Sequence, residues 1–173
     1  MSDRPPRLVL VGDLVFLQLG PRKGMRKGIS ALAWYERGLQ LEVSDPEAAM
    51  EAYRRALAAR PDLADAHNNL GRLHHDRGEL AAAEAHYRLA LCEHRYIALY
   101  WFNLGVVIED LGRGGEAIDA YERAIAIDPQ LADAHYNLAR QIEHVARRAD
   151  DEVMLRRAVR HLKQYRALSR ASG

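Results

Sequence analysis

His67-Asn68-Asn69-Leu70-Gly71, Trp101-Phe102-Asn103-Leu104-Gly105 and His135-Tyr136-Asn137-Leu138-Ala139 are three versions of one five-residue phrase, set 34 residues apart. A second phrase returns at the same interval. Ala49, Ala83 and Ala117 form one column, Tyr53, Tyr87 and Tyr121 the next, and Ala56, Ala90 and Ala124 a third. Pro61 and Pro129 lie two intervals apart, with Arg95 in the slot between them. A fixed period of this length marks a supersecondary unit that is copied along the chain and must stack on its copies to bury its apolar face.

The spacing predicts two helices per unit. His67, Leu70, Gly71 and His74 stand at i, i+3, i+4 and i+7, one stripe of a helix. Gly or Ala in the phrase removes bulk where a partner helix must come close, and Gly78 and Gly112 stop the first helix. The second phrase, Ala-x3-Tyr-x2-Ala, puts small residues and one ring on a second helix.

With both phrases on the page, residues 31 to about 166 resemble the tetratricopeptide repeat (TPR). The resemblance implies an all-α solenoid of helical hairpins with about four repeats, at 31–63, 64–97, 98–131 and 132–170, the last ending in a long closing helix. Unit one keeps Trp34 and Gly38 in their slots, has a turn one residue shorter, and caps its second helix with Asp45-Pro46. Unit four departs from the pattern. Asp151 falls where Ala is due, and the best match to the second phrase starts seven residues later, at Ala158, Leu162 and Tyr165. Seven residues is close to two helical turns, so the apolar face is nearly preserved. Asp150 or Asp151 is expected to open that helix, whose outer face carries Arg156, Arg157, Arg160, Lys163 and Arg166.

Residues 1–30 lie outside the repeat. Leu8 to Val11 and Leu14 to Leu17 flank Gly12-Asp13, the signal of a β-hairpin with a two-residue turn, and residues 21–30 read as a basic linker. This head and the closing stretch AVRHLKQYRAL at 158–168 also resemble, more loosely, the C-terminal part of bacterial MerR-type regulators that join a winged-helix domain to a TPR array. No winged-helix stretch is present in the sequence, so what that resemblance implies is an accessory or truncated transcriptional regulator, with DNA binding not carried over.

Of the 173 residues, 49% are hydrophobic and 28% charged, as in a folded domain. The single cysteine, Cys92, excludes an internal disulfide. Residues 8–19 are too short and too interrupted for a membrane span, and a cytoplasmic bacterial protein is expected. The net charge of +1 hides +4 over residues 1–30, −8 over 31–146 and +5 over 147–173. Basic ends suit acidic partners or nucleic acid, but charge runs are usually solvated, and that reading is preferred. There is no P-loop, nucleophile elbow, dinucleotide fingerprint or HExxH, so neither an enzyme, a cofactor nor a metal is expected. Of the eight histidines, His67 and His135 occupy the packing slot that Trp101 fills, while His74 and His75 diverge around a helix.

The resemblance makes the first helices line a concave groove, with slots 2, 5, 6, 9, 12 and 13 facing it. The candidate peptide-binding residues are then Asn68, Asn69 and Arg72 in unit two, Phe102 and Asn103 in unit three, and Tyr136, Asn137 and Arg140 in unit four. The ladder Asn69, Asn103, Asn137 offers donors and acceptors to a peptide backbone, or else is solvated or bonds within its own hairpin. Tyr35, Phe102 and Tyr136 share slot 5, as ligand anchors or as packing against the adjacent hairpin. The clamp by which related arrays hold the C-terminal carboxylate of heat-shock chaperones keeps only its middle Asn here. From unit one its other slots hold Tyr35, Leu39, Leu99 and Asn103, and from unit two Asn68, Arg72, Asp133 and Asn137. The expected partner is thus a protein or peptide in extended form, and a homo-oligomer is left open.

Overall fold

The computed structural model describes residues 29–171 in full and the backbone of 7–11 and 14–18. Strands β1 (Arg7–Val11) and β2 (Leu14–Gln18) pair antiparallel, Arg7 opposite Gln18 and Val11 opposite Leu14. The Gly12-Asp13 turn and the 21–28 part of the linker lie outside the described residues.

Eight helices follow among the described residues: α1 (Ala31–Leu41), α2 (Pro46–Ala59), α3 (Ala64–Asp76), α4 (Leu80–Glu93), α5 (Ala98–Asp110), α6 (Gly114–Ile127), α7 (Ala132–Ala149) and α8 (Glu152–Ala171). They form four hairpins, α1/α2 to α7/α8, and each hairpin stacks on the next through α2 on α3, α4 on α5 and α6 on α7. The array is the expected all-α solenoid. Its ends are set locally. The Ser30 and Asp45 side chains accept the amides of Ala33 and Ala48 at 3.1 and 3.0 Å, and Pro46 opens α2. Gly78 and Gly112 end α3 and α5 at φ of 73° and 76°, a conformation that costs a glycine nothing.

The Gly and Tyr columns explain one another. A Cβ on Gly38, Gly71 or Gly105 would meet a ring carbon of Tyr53, Tyr87 or Tyr121 at 2.4, 2.8 or 2.6 Å. Those rings are buried, and with Ala49, Ala83, Ala117 and their partner columns they form the seam between paired helices. Unit four has Leu162 in place of the Tyr, once the seven-residue shift is allowed, and there the glycine column holds Ala139.

That shift is visible in the last hairpin. His67 Nδ1 lies 3.0 Å from His86 Nδ1, 19 residues on, while His135 Nδ1 lies 2.9 Å from His161 Nδ1, 26 residues on. The matching contact is therefore two turns further along. Helix α7 runs to 18 residues against 13 for α3 and α5, so it overhangs its neighbours. Asp150 closes it in the left-handed conformation at φ of 51°, and Asp151 Oδ1 caps α8 by accepting from Val153 and Met154 at 2.9 and 3.0 Å.

Candidate functional site

The first helices α1, α3, α5 and α7 are tied to one another by side chains in the candidate groove slots. Tyr53 of α2 donates its hydroxyl to Glu42 Oε1 at 2.5 Å, and Arg72 of α3 pairs with Glu42 Oε2 at 2.5 Å. Asn69 Nδ2 donates to the same Tyr53 oxygen at 3.2 Å. Two units on, the set recurs. Tyr121 donates to Glu109 Oε2 at 2.8 Å, Arg140 of α7 pairs with Glu109 Oε1 at 2.6 Å, and the Asn137 amide interacts with the Tyr121 hydroxyl. Glu42 and Glu109 each stand four residues past the glycine of their own first helix. Burial, followed by donation to the carboxylate, pushes the Tyr53 and Tyr121 hydroxyls up, so both remain neutral donors.

In the middle unit that place is held by His75, and the links run differently. His75 Nε2 meets Asp110 Oδ2 at 2.6 Å, and Tyr100 donates to Asp65. Asn103 Nδ2 donates to Asn68 Oδ1 at 2.9 Å, and Asn68 Nδ2 donates to Asn69 Oδ1 at 3.2 Å. Asn68, Asn69 and Asn103 thus form one chain, and Asn137 with Arg140 forms a second set around Glu109. Asn68 is buried, while Asn69, Asn103 and Asn137 are half-buried. Part of the hydrogen-bonding capacity of the ladder is used inside the array, and the rest is open to the face.

The slot-5 rings lie on their own hairpins. Tyr35 pairs with Tyr53 at 5.7 Å between centroids, Phe102 with Tyr121 at 6.0 Å and Tyr136 with Tyr165 at 5.1 Å. Tyr136 is still 39% exposed, with the Arg140 guanidinium 5.9 Å from its ring centre. Leu39 and Leu99, at slots 9 and 2, are 46% and 49% exposed.

The overhang of α7 adds a cleft of about 620 Å³ at one end of this face, over the α5–α6 turn. Glu109, Arg140, Glu143 and His144 line it from candidate groove slots, Gly114 and Gly115 from the start of α6, and Gln141, Arg147 and Arg148 from α7. The sequence reading missed it, although a Gly-Gly pair opening a helix was a signal in plain view. It also missed the partners of the slot-4 histidines. His67 and His135 are buried, each with Nε2 near a proline carbonyl, Pro61 at 3.1 Å and Pro129 at 3.2 Å. Burial first, and then the neighbouring His67 or His135, pushes His86 and His161 down to about 4. Among the described residues no three His, Cys, Asp or Glu side chains are arranged to hold a metal, and no helix is long and apolar enough to cross a membrane.

The family model for the TPR repeat matches residues 45–78 and 110–140. Those two stretches carry tetratricopeptide repeats. Solved structures similar to its TPR array include a crystal structure of MamA, 20% identical, covering 84% of this chain and 82% of that one with a TM-score of 0.74. MamA 41-end from Desulfovibrio magneticus RS-1 is 19% identical, covering 84% and 78% with a TM-score of 0.71. The first TPR of Spaghetti (RPAP3) bound to HSP90 peptide SRMEEVD is 22% identical, covering 68% and 94% with a TM-score of 0.65. No curated protein sequence matches the chain. At these identities the similar structures speak for the fold alone.

Proposed function

We propose that the face made by α1, α3, α5 and α7 holds an extended segment of a partner protein. The observation that carries the reading is the set of cross-helix ties, Arg72 to Glu42, Asn103 to Asn68, Tyr100 to Asp65 and Arg140 to Glu109. They fix four helices as one preorganised surface, which lowers the entropy lost on binding. On that polar floor stand the exposed side chains of Leu39, Leu99 and Tyr136, spaced along the array as anchors for successive apolar residues. Asn69, Asn103 and Asn137 contribute the amide capacity left over from their internal bonds to backbone groups of the segment. The heat-shock peptide on the similar Spaghetti repeat supports a peptide ligand in general. The mode differs here, because four of the five clamp positions carry other residues.

The test is a pull-down from the native cell with Leu39→Asp/Leu99→Asp beside a control, Leu89→Asp, whose leucine is equally exposed but lies on the second helix α4. The double variant is expected to lose its partner at least tenfold while the control keeps it. Equal behaviour of the two variants refutes the groove.

A further inference from the structure

We infer that the cleft under the α7 overhang is a carboxylate site at the end of the groove, taking an acidic group of the bound segment. The inference rests on the groove reading for the remainder of the ligand and on four local observations for itself. Helix α6 is 14 residues long and starts with no side-chain cap, because its N-cap residue is Arg113, whose guanidinium carries donors only and is turned to Glu84 and Glu116. The first two residues, Gly114 and Gly115, line the cleft and have no side chains to cover their N–H groups. A helix start in this condition attracts negative charge.

The second observation is Gln141. It lines the same cleft, is only 8% exposed, and has no hydrogen-bond partner among the described residues. Its Nε2 stands 2.5 Å from where a Gly114 Cβ would be, so the amide sits directly over the open start of α6. Among the described residues no buried side-chain nitrogen or oxygen lacks a partner, so the unbonded amide of Gln141 is the part of the residue that reaches the cleft, where a ligand can use it. Aimed at the helix start, it converges with the backbone donors on one spot.

Third, the wall charges select the class of anion. Arg140 is paired with Glu109 and Arg147 with Glu143, whereas Arg148 and His144 have no ion-pair partner among the described residues. One spare permanent cation suits a single negative charge, and the Glu109 and Glu143 carboxylates oppose a dianion such as phosphate. Fourth, Glu109, Arg140, Glu143 and His144 belong to groove slots, so a segment lying along the first helices runs into the cleft.

The test is an amide-shift titration of the whole chain with acetyl-Glu-Glu-amide, whose anions are side-chain carboxylates only. Acetyl-Gln-Gln-amide serves as the neutral counterpart, acetyl-Gly-Gly with a free chain end as the second carboxylate source, and inorganic phosphate as the competing anion. The Gly114 and Gly115 amides and the Gln141 side-chain amide are expected to shift saturably with either carboxylate source, whose order of affinity names the source. Gln141→Glu, which keeps the size and replaces the donor by an anion, is expected to weaken binding at least fivefold with an unchanged melting temperature. Gly114→Ala, which drives a methyl into the Gln141 amide, is expected to do the same. Equal shifts with the Gln peptide, tighter binding of phosphate, or full binding by Gln141→Glu overturns the site. Because the dipeptides need no groove, these outcomes are independent of the Leu39/Leu99 pull-down.

Discussion

At the scale of single residues, the glycine column is a consequence of the tyrosine column. Alanine is the better helix former by about 1 kcal/mol. At position 105 it nevertheless meets the buried Tyr121 ring at 2.6 Å, where close packing leaves the ring no room to move. Gly105→Ala is expected to destabilise the protein by about 1–3 kcal/mol, read from urea unfolding. In Gly105→Ala/Tyr121→Leu, which copies the Ala139 and Leu162 arrangement of unit four, the double-mutant cycle is expected to recover about 1 kcal/mol or more of that loss. Additive losses would show that the two columns are unrelated. The histidine pairs act through protons. His86 and His161 are held down to about 4 against an ordinary value of 6.5. Above 6.5 both folded and unfolded states are neutral there and the contribution is complete. Between 6.5 and 4 the unfolded chain takes up a proton that the native pair refuses, so stability falls as the pH falls. His86→Phe is expected to flatten that part of a melting-temperature profile, and an unchanged slope would rule the pair out as its source.

At the scale of elements, the last hairpin differs from the others by two helical turns. The extra length keeps Ala139, Ile142, Ala146 and Ala158 on the buried side. It also carries the α7 C-terminus past the α5–α6 turn and creates the cleft. Its turn is held by Asp150 and Asp151. Asp151→Ala removes two accepted backbone bonds and is expected to cost about 0.5–2 kcal/mol, measured by thermal unfolding. Asp150→Gly relieves a side chain in the left-handed region and is expected to raise the melting temperature slightly. If Asp150→Gly lowers it instead, the aspartate has a role beyond the turn.

At the scale of the molecule, four hairpins make a one-dimensional stack in which each unit supports its neighbours. Helix α8 closes one end with Arg156, Arg160, Lys163 and Arg166 exposed and Arg157 paired with Glu122 of α6. Ending the chain after Ala149 uncovers Leu138, Ile142 and Ala146, all fully buried. That truncation is expected to aggregate or to lose the cooperativity of α5 to α7 in hydrogen exchange, whereas ending it after Leu168 is expected to change little.

The sequence by itself determined the repeat, its register and the pairing of helices, because a period of 34 with Gly, Ala and Tyr columns leaves one way to stack. It also revealed the seven-residue shift in unit four. Only the tertiary structure decided what the polar residues do. Asn69 donates to a tyrosine, Asn103 to another asparagine, and Gln141 to nothing in the described chain. The reason is physical. An apolar stripe is written in local spacing, but a hydrogen-bond partner is chosen by atoms that folding brings together, often more than 30 residues apart, as from Asn103 to Asn68 or Arg140 to Glu109.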